Sequence, residues 1–186
     1  MNLRGTEFLE TERLSLRRIS LNDANSLYTE ILSNKERLYY LDWCYAKDIN
    51  TTKIFIKNII NNYQKEDFYF WVVEEKISFA FIGCVLICNA DLKRRLAEIE
   101  YVASMKSQGH GYITEALKKV IDYLITEVGY NRIEGVCNIE NTASARVMEK
   151  AGMVYEGTLR GRALNLNENG MPGDLRMYST LFSDRS

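Results

Sequence analysis

One proline, Pro172, and one histidine, His110, occur in 186 residues. A single histidine excludes a multi-histidine metal site and leaves His110 as the only imidazole any catalytic triad could use. Neither charge sign dominates. Lys and Arg total 24 and Asp and Glu total 25, for a formal net charge of −1. That balance speaks against capture of nucleic acid or of an acidic membrane by bulk charge. Long apolar runs are missing too. The longest nearly apolar stretch, Ile77–Cys88, has 12 residues, short of the roughly 18 that a membrane span needs. Met1–Arg18 mixes Glu7, Glu10 and Glu12 with arginines and lacks the apolar block of a signal peptide, so a cytoplasmic location is expected. The cysteines Cys44, Cys84, Cys88 and Cys137 show no zinc-type spacing. They are expected to be reduced and buried as small hydrophobes, with no metal bound.

What is present is the composition of a globular protein, 46% hydrophobic and 26% charged. No Ser/Gly/Pro-rich linker divides the chain, so residues 1–186 are read as one domain. Arg13–Arg18 alternates as a half-buried strand. A short helix opens at Ser20 or Asn22–Asp23 and runs to about Ser33. A second is capped at Asn50–Thr51 and carries Ile54, Ile56, Ile59 and Ile60 as its apolar stripe. Phe68–Glu74 and Ser78–Asn89 read as strands joined by a tight Glu-Glu-Lys turn, and Arg95–Ala103 alternates again. Gly109–Gly129 is the clearest helix, with Ile113, Leu117, Val120, Ile121, Leu124 and Ile125 at helical spacing and Gly129 placed as a C-cap. Arg132–Asn138 is a strand. Asn141 or Thr142 caps a helix over Ala143–Ala151. Met153–Gly161 and Gly173–Phe182 pair through a turn at Asn167–Gly170. A strand–helix–strand crossover inside a mostly antiparallel set implies a mixed α/β (α+β) sheet of about seven strands with about four helices.

Gln108-Gly-His-Gly-Tyr112 lies between a strand and the long helix. Gly109 and Gly111 let the backbone turn and bare its amides, and the following helix adds unpaired N–H groups and a positive dipole end. This is an anion cradle fit for a phosphate or pyrophosphate. The third glycine of a dinucleotide fingerprint is absent, since position 114 is Thr114, and no Gly-Lys-Ser/Thr follows for a Walker loop. Read alone, the two glycines also suit a plain strand-to-helix turn.

Gln108-Gly-His-Gly-Tyr-Ile113 resembles the Q/R-x-x-G-x-G/A signature by which GNAT N-acetyltransferases bind coenzyme A. Gly111-Tyr-Ile-Thr-Glu-Ala-Leu117, Asn131-Arg-Ile-Glu134, Glu140–Met153 and the opening Thr11–Arg17 are similar in order and spacing to the ribosomal-protein N-terminal acetyltransferase subgroup (RimJ/RimL-type). The likeness is strongest over Ala97–Tyr178 and weakest over Leu27–Asp67. Ile113 departs from the signature, which has Gly or Ala there. The resemblance implies a GNAT-like fold with a central parallel pair, Arg95–Ala103 and Arg132–Asn138, that splays to admit acetyl-coenzyme A. It implies that the pantetheine arm pairs along Tyr101, Val102 and Ala103 like an added strand. A backbone N–H near Val102 would polarise the thioester carbonyl. The pyrophosphate would lie on Gln108, Gly109, His110, Gly111, Tyr112, Ile113 and Thr114, with His110 in a slot that usually faces the coenzyme phosphates. Asn141 matches an asparagine that contacts the pantetheine arm and is equally a helix N-cap. Ser144 matches a serine proposed to protonate the leaving thiolate and also suits the first helical turn. Arg146 and Lys150 lie i, i+4 on one helix, towards a coenzyme phosphate or on a solvated face.

The implied reaction is direct attack of a primary amine on the thioester in a ternary complex. A thiol leaves at pKa near 8.5, so the demanding step is taking a proton off the amine. At pH 7 freeing a neutral amine costs about 1 kcal/mol for an N-terminus and about 4.6 kcal/mol for lysine. Glu98 and Glu100 share one strand face. Two carboxylates so close raise one pKa and make a base, or else form a polar face paired with Lys or Arg. A glutamate that serves as base in some relatives falls on Ala163 here. The weak base favours a protein N-terminal α-amine as acceptor. Alternatives are a small amine, a polyamine or an antibiotic, and a coenzyme A-binding sensor without turnover. Tyr39, Tyr40, Asp42 and Trp43 supply aromatic walls and a carboxylate that suit a cationic amine, or form a satellite hydrophobic cluster. Cys137 lies near the end of a splayed strand, within possible reach of the thioester. Partners beyond the acceptor amine are not expected, neither nucleic acid nor membrane, and the chain is read as a monomer or homodimer.

Overall fold

Alternation of side chains decides which way each strand faces, and the third strand shows it best. The computed structural model describes residues 1–35, 37–41, 43–163 and 170–185. Its strands are β1 (Leu9–Glu10), β2 (Leu14–Arg17), β3 (Phe70–Glu75), β4 (Phe81–Asp91), β5 (Leu96–Ala103), β6 (Arg132–Asn138), β7 (Val154–Leu159) and β8 (Leu175–Leu181). They form one sheet in the order β1-β2-β3-β4-β5-β6-β8-β7. Every neighbouring pair is antiparallel except β5 and β6. The strand beyond the expected seven is β1, whose two residues are too few to carry a period.

Around β3, Tyr69, Trp71 and Val73 point to one face while Phe70 and Val72 point to the other, and all five are at most 2% exposed. A central strand buried on both sides divides the interior into two hydrophobic clusters. One packs α3 (Tyr112–Tyr123) and α4 (Thr142–Lys150) on the sheet through Leu117, Val120, Ile121 and Met148. The other packs α1 (Ala24–Leu27), which runs on into a π-turn over Tyr28–Leu32, and α2 (Ile49–Asn62), through Leu27, Ile31, Ile56 and Ile59.

The helix ends are set by local chemistry. Ser20 opens the first helical segment with a reciprocal capping box to Asp23. α2 starts earlier than Asn50–Thr51, because the Asp48 carboxylate accepts from the Thr51 amide at 2.8 Å and the Thr51 hydroxyl at 2.9 Å. Its buried face therefore follows Thr52, Ile56 and Ile59, spaced four and three apart, and Ile54 is 61% exposed. The β3–β4 turn is wider than a Glu-Glu-Lys reverse turn. It spans Lys76–Ala80, and the Glu75 carboxylate accepts from the amides of Ile77 and Ser78. α3 ends in a π-turn over Leu124–Val128 capped by Gly129 at φ 92°, whose N–H donates to the Leu124 carbonyl. Residues 167–169 of the expected β7–β8 turn lie outside the described residues. No helix among the described residues is long and apolar enough to cross a membrane.

Candidate active site

The parallel ladder between β5 and β6 is short. Leu96 pairs with Arg132, Ala97 with Ile133 and Glu98 with Glu134, and there it ends. β5 continues to Ala103 and β6 to Asn138, so the strands part and one side of Ile99–Val102 loses its strand neighbour. A cavity of about 1010 Å³ occupies this gap. It is at the upper end of the range for ligand pockets, room for an extended ligand and a second reactant.

At one end of the cavity is the cradle. Gln108 closes a 3-10 turn over Met105–Ser107, and Gly109 and Gly111 follow at φ 80° and φ 76°, left-handed values that L side chains rarely adopt. Nothing lies within 4 Å of where a side chain on Gly109 would begin. Gly111 is the N-cap of α3 and supplies no side chain to it. The amides of the first turn are therefore left for a ligand. Arg13 fixes the loop from behind. Its Nη1 donates to the His110 carbonyl at 3.2 Å, its Nε donates to Glu115 at 2.7 Å, and its guanidinium lies 4.4 Å from the Tyr112 ring centre. A second hollow of about 410 Å³ shares Gly109, Gly111, Thr114 and Arg146 with the first and adds Lys118 and Lys150. The basic residues at 118, 146 and 150 thus gather beside the cradle. Lys118 was not singled out from sequence, although it sits one turn along α3 from Thr114. The His110 ring lies elsewhere, stacked at 5.7 Å on Tyr112 and lining neither hollow.

Ile113 does not stand in the cradle with its side chain. It is 6% exposed and packs into the first cluster against β4, with its Cδ1 3.1 Å from where a Cβ on Gly83 would be. The larger residue is accommodated because position 83 is glycine.

Across the gap, α4 begins at Asn141, whose side-chain oxygen accepts from the Ser144 amide at 3.1 Å. The capping use of Asn141 is therefore realised, and the residue also lines the cavity. The Ser144 hydroxyl lies 2.8 Å from the Tyr101 hydroxyl, which also approaches the Ser144 carbonyl at 2.9 Å. Burial raises the Tyr101 phenol pKa above its ordinary value, with the Ser144 hydrogen bond opposing. Cys137 faces the first cluster, 6% exposed, and burial pushes its thiol up, which argues against a thiolate nucleophile. The four cysteines divide. Cys84 and Cys137 are buried, but Cys44 and Cys88 are exposed. The register between β4 and β5 slips at Ile87/Asn89, so Cys88 is the bulged residue and enters the cavity wall.

Glu98 and Glu100 both line the cavity on the face opposite α3 and α4. The Glu98 carboxyl is raised above the ordinary carboxylate range, first by burial and then by Glu134, with Arg162 opposing. The like charge that matters at Glu98 thus stands across the parallel pair. Sequence reading missed Glu134 because register between distant strands leaves no local pattern.

Of the aromatic residues at 39–43, Tyr40 reaches the cavity. Tyr39 is exposed with its ring edge-on to Tyr40 at 5.0 Å. Trp43 packs instead into the second cluster, 5.6 Å from Phe55 and 6.1 Å from Phe70 between ring centres. Its large apolar surface is drawn to the nearest core. Asp42 lies outside the described residues. No cluster of three or more His, Cys, Asp or Glu suited to a metal occurs among the described residues.

A sheet split beside a glycine cradle has counterparts among known proteins. Residues 13–154 match the family model described as an acetyltransferase (GNAT) domain. The uncharacterized N-acetyltransferase YoaA of Bacillus subtilis (strain 168) is 31% identical over 171 residues, covering 92% of this chain and 94% of the relative. A ribosomal-protein-serine acetyltransferase of Escherichia coli (strain K12) is 26% identical over 178 residues, covering 94% and 96%. Among solved structures, a GNAT-family acetyltransferase from Bacillus anthracis superposes with a TM-score of 0.79 at 24% identity, over 95% of this chain and 99% of that one. RimL, a ribosomal alpha-N-protein acetyltransferase in complex with coenzyme A, superposes with a TM-score of 0.81 at 21% identity, over 94% and 98%. With the family model spanning most of the sheet and the whole cradle, the chain belongs to the GNAT acetyltransferase family and is an acyltransferase that draws on acetyl-coenzyme A.

Proposed function

We propose that the protein transfers the acetyl group to a protein N-terminal α-amine, with the cradle holding the donor and the opposite half of the cavity admitting the acceptor. The observation that carries this reading is the parting of β5 and β6 immediately beyond Glu98 and Glu134. It leaves an open strand edge, the amides of the cradle and the half-buried carboxylates of Glu98 and Glu134 around one cavity.

The chain's own groups then have distinct tasks. Amides from Gly109 to Ile113 take the pyrophosphate, and Lys118, Arg146 and Lys150 supply positive charge to a further phosphate beside it. The edge of Tyr101–Ala103 pairs with the pantetheine amides, and the amide near Val102 stabilises charge growing on the carbonyl oxygen. Glu98 accepts a proton from the acceptor ammonium. Burial and the neighbouring Glu134 raise its carboxyl above the ordinary range, which makes it a stronger base than an exposed carboxylate. Ser144, backed by Tyr101, is the hydroxyl placed to give the leaving sulfur a proton. The small cost of neutralising an α-amine, compared with lysine, fits a site whose base is a carboxylate and whose single histidine lies outside both hollows. The relatives that act on ribosomal proteins support the same class of acceptor.

The test is release of free thiol from acetyl-coenzyme A against peptides with free N-termini, N-blocked peptides bearing lysine, and polyamines. Turnover on free N-termini at least tenfold above the other two groups is expected. Equal or better turnover on lysine or polyamine overturns the acceptor assignment.

A further inference from the structure

We propose that Glu134 is a working carboxylate of the acceptor site, locked in place by Arg132 so that it and Glu98 together receive the acceptor's ammonium group. The proposal rests on the amine-acetylation reading above and adds a residue for which neither motif nor cavity shape alone gives a role.

Glu98 and Glu134 are register partners on the last rung of the parallel ladder. They point to the same face, both line the cavity, and beyond them the strands diverge. The pair therefore sits at the apex of the gap. Arg132 stands two residues earlier on the same face of β6. Its Nε donates to Glu134 at 2.5 Å and its Nη1 donates to Glu156 at 2.8 Å and to the Ser179 hydroxyl at 3.0 Å. Its Nη2 also donates to Glu156, and the Ser179 hydroxyl donates in turn to Glu156 at 2.7 Å. One guanidinium is thus pinned to β7 and β8 and spends only one of its donors on Glu134. Arg132 and Glu134 keep side-chain exposures of 20% and 18%, so neither is free to swing into solvent.

The charges around Glu98 can be named from each neighbouring element. Glu100 shares its strand, Glu134 faces it from β6, Arg162 approaches from the segment after β7, and Cys88 of β4 donates its thiol to the Glu98 carbonyl at 3.4 Å. Arg132 is shared between Glu134 and Glu156, so it does not neutralise the apex. An arriving cation does. Burial and Glu134 together hold the Glu98 carboxyl above its ordinary range.

The step balances as follows. The ammonium R–NH3+ binds between the two carboxylates, an N–H bond breaks and an O–H bond forms on Glu98. The neutral amine attacks the thioester carbon, the new C–N bond replaces C–S, and the sulfur leaves with the bonding pair. Ser144 gives its hydroxyl proton to the sulfur and is reprotonated by the nitrogen's surplus proton, and Glu98 returns its proton to water. Glu134 takes no part in the proton transfer and sets affinity for the cation. Arg132 acts only by positioning Glu134.

The experiment compares wild type with Glu134→Gln, Glu134→Asp and Arg132→Lys. Thiol release is measured with an alanyl tripeptide across pH 5–9, acetyl-coenzyme A affinity by calorimetry, and folding by thermal melting. For Glu134→Gln the expected result is donor affinity within twofold of wild type and an acceptor KM at least tenfold higher. The acid limb of kcat/KM moves to lower pH, because Glu98 has lost its like-charged neighbour. Glu134→Asp restores part of the KM, and Arg132→Lys, which keeps the charge but loses the fork, falls between. An unchanged KM and an unmoved acid limb in Glu134→Gln overturn the proposal while wild-type turnover leaves the amine-acetylation reading standing. If wild type releases no thiol with any amine, that reading fails instead. Calorimetric binding of the tripeptide and of putrescine to the coenzyme A-loaded protein then decides the present proposal, which falls if Glu134→Gln binds both as wild type does. Should Glu134→Gln fold poorly, Arg132→Lys carries the same KM and pH readouts.

Discussion

In the proposed donor site, Gly111 supplies a backbone conformation rather than a side chain. At φ 76° it starts α3 in the left-handed region, and a Cβ there would lie 3.8 Å from the Arg13 guanidinium that braces the loop. A β-branched residue would be strained by roughly 1–2 kcal/mol and would stand where the phosphate approaches. Gly111→Val should therefore weaken acetyl-coenzyme A binding by at least tenfold in calorimetry, while the melting temperature drops by only a few degrees. Affinity equal to wild type would put the phosphate elsewhere. At this scale the sequence placed the two-glycine turn ahead of its helix, a local signal, but only the family signature told a cradle from a plain turn. It did not show Arg13, which reaches Glu115 and the His110 carbonyl from about a hundred positions away, nor Glu134, whose meaning depends on facing Glu98.

Among elements, the β4–β5 pair bears on the proposed donor site, since the other edge of β5 loses its strand partner beyond Glu98. Gly83 of β4 lies at φ 156°, and a Cβ there would fall 2.0 Å from the Val102 carbonyl oxygen and 3.1 Å from Ile113. Backbone cannot give way as a flexible side chain can. Gly83→Ala should cost roughly 3 kcal/mol or more in urea-unfolding free energy. It should also loosen donor binding, because the displaced strand is the one that lines the gap. A variant as stable as wild type would mean that the two strands are not so closely apposed. Long periodic elements were legible from the chain alone. β6 falls on Arg132–Asn138 as read, and α4 starts beside its Asn141 cap. What escaped were features without a period. β1 is two residues long, the α2 cap is one position before the helix at Asp48, and Trp43 leaves its aromatic run to join the second core.

Over the whole molecule, an ionic cluster ties the sheet to the helical entry of the second core. Arg17 of β2 donates to Asp23 at 2.8 and 2.9 Å and to Glu74 of β3 at 2.7 Å. Burial alone would raise the Asp23 carboxyl, but hydrogen bonds from Arg17 and Ser20 outweigh it and hold the group below its usual value. A carboxyl with a depressed folded-state pKa stabilises the protein above its unfolded pKa, and that contribution disappears as pH falls through the folded value. Asp23→Asn should lose roughly 2–3 kcal/mol at pH 7. The difference from wild type should shrink as pH is taken below about 4, as followed by chemical unfolding at several pH values. A constant difference across that window would show that the carboxylate's charge is not what stabilises the cluster. The two buried clusters on either side of the sheet also separate two sets of helices. α3, which follows the glycine cradle, and α4 are packed on one side, whereas α1 and α2 are anchored on the other. A change confined to α1 and α2 therefore leaves the packing behind the cradle in place.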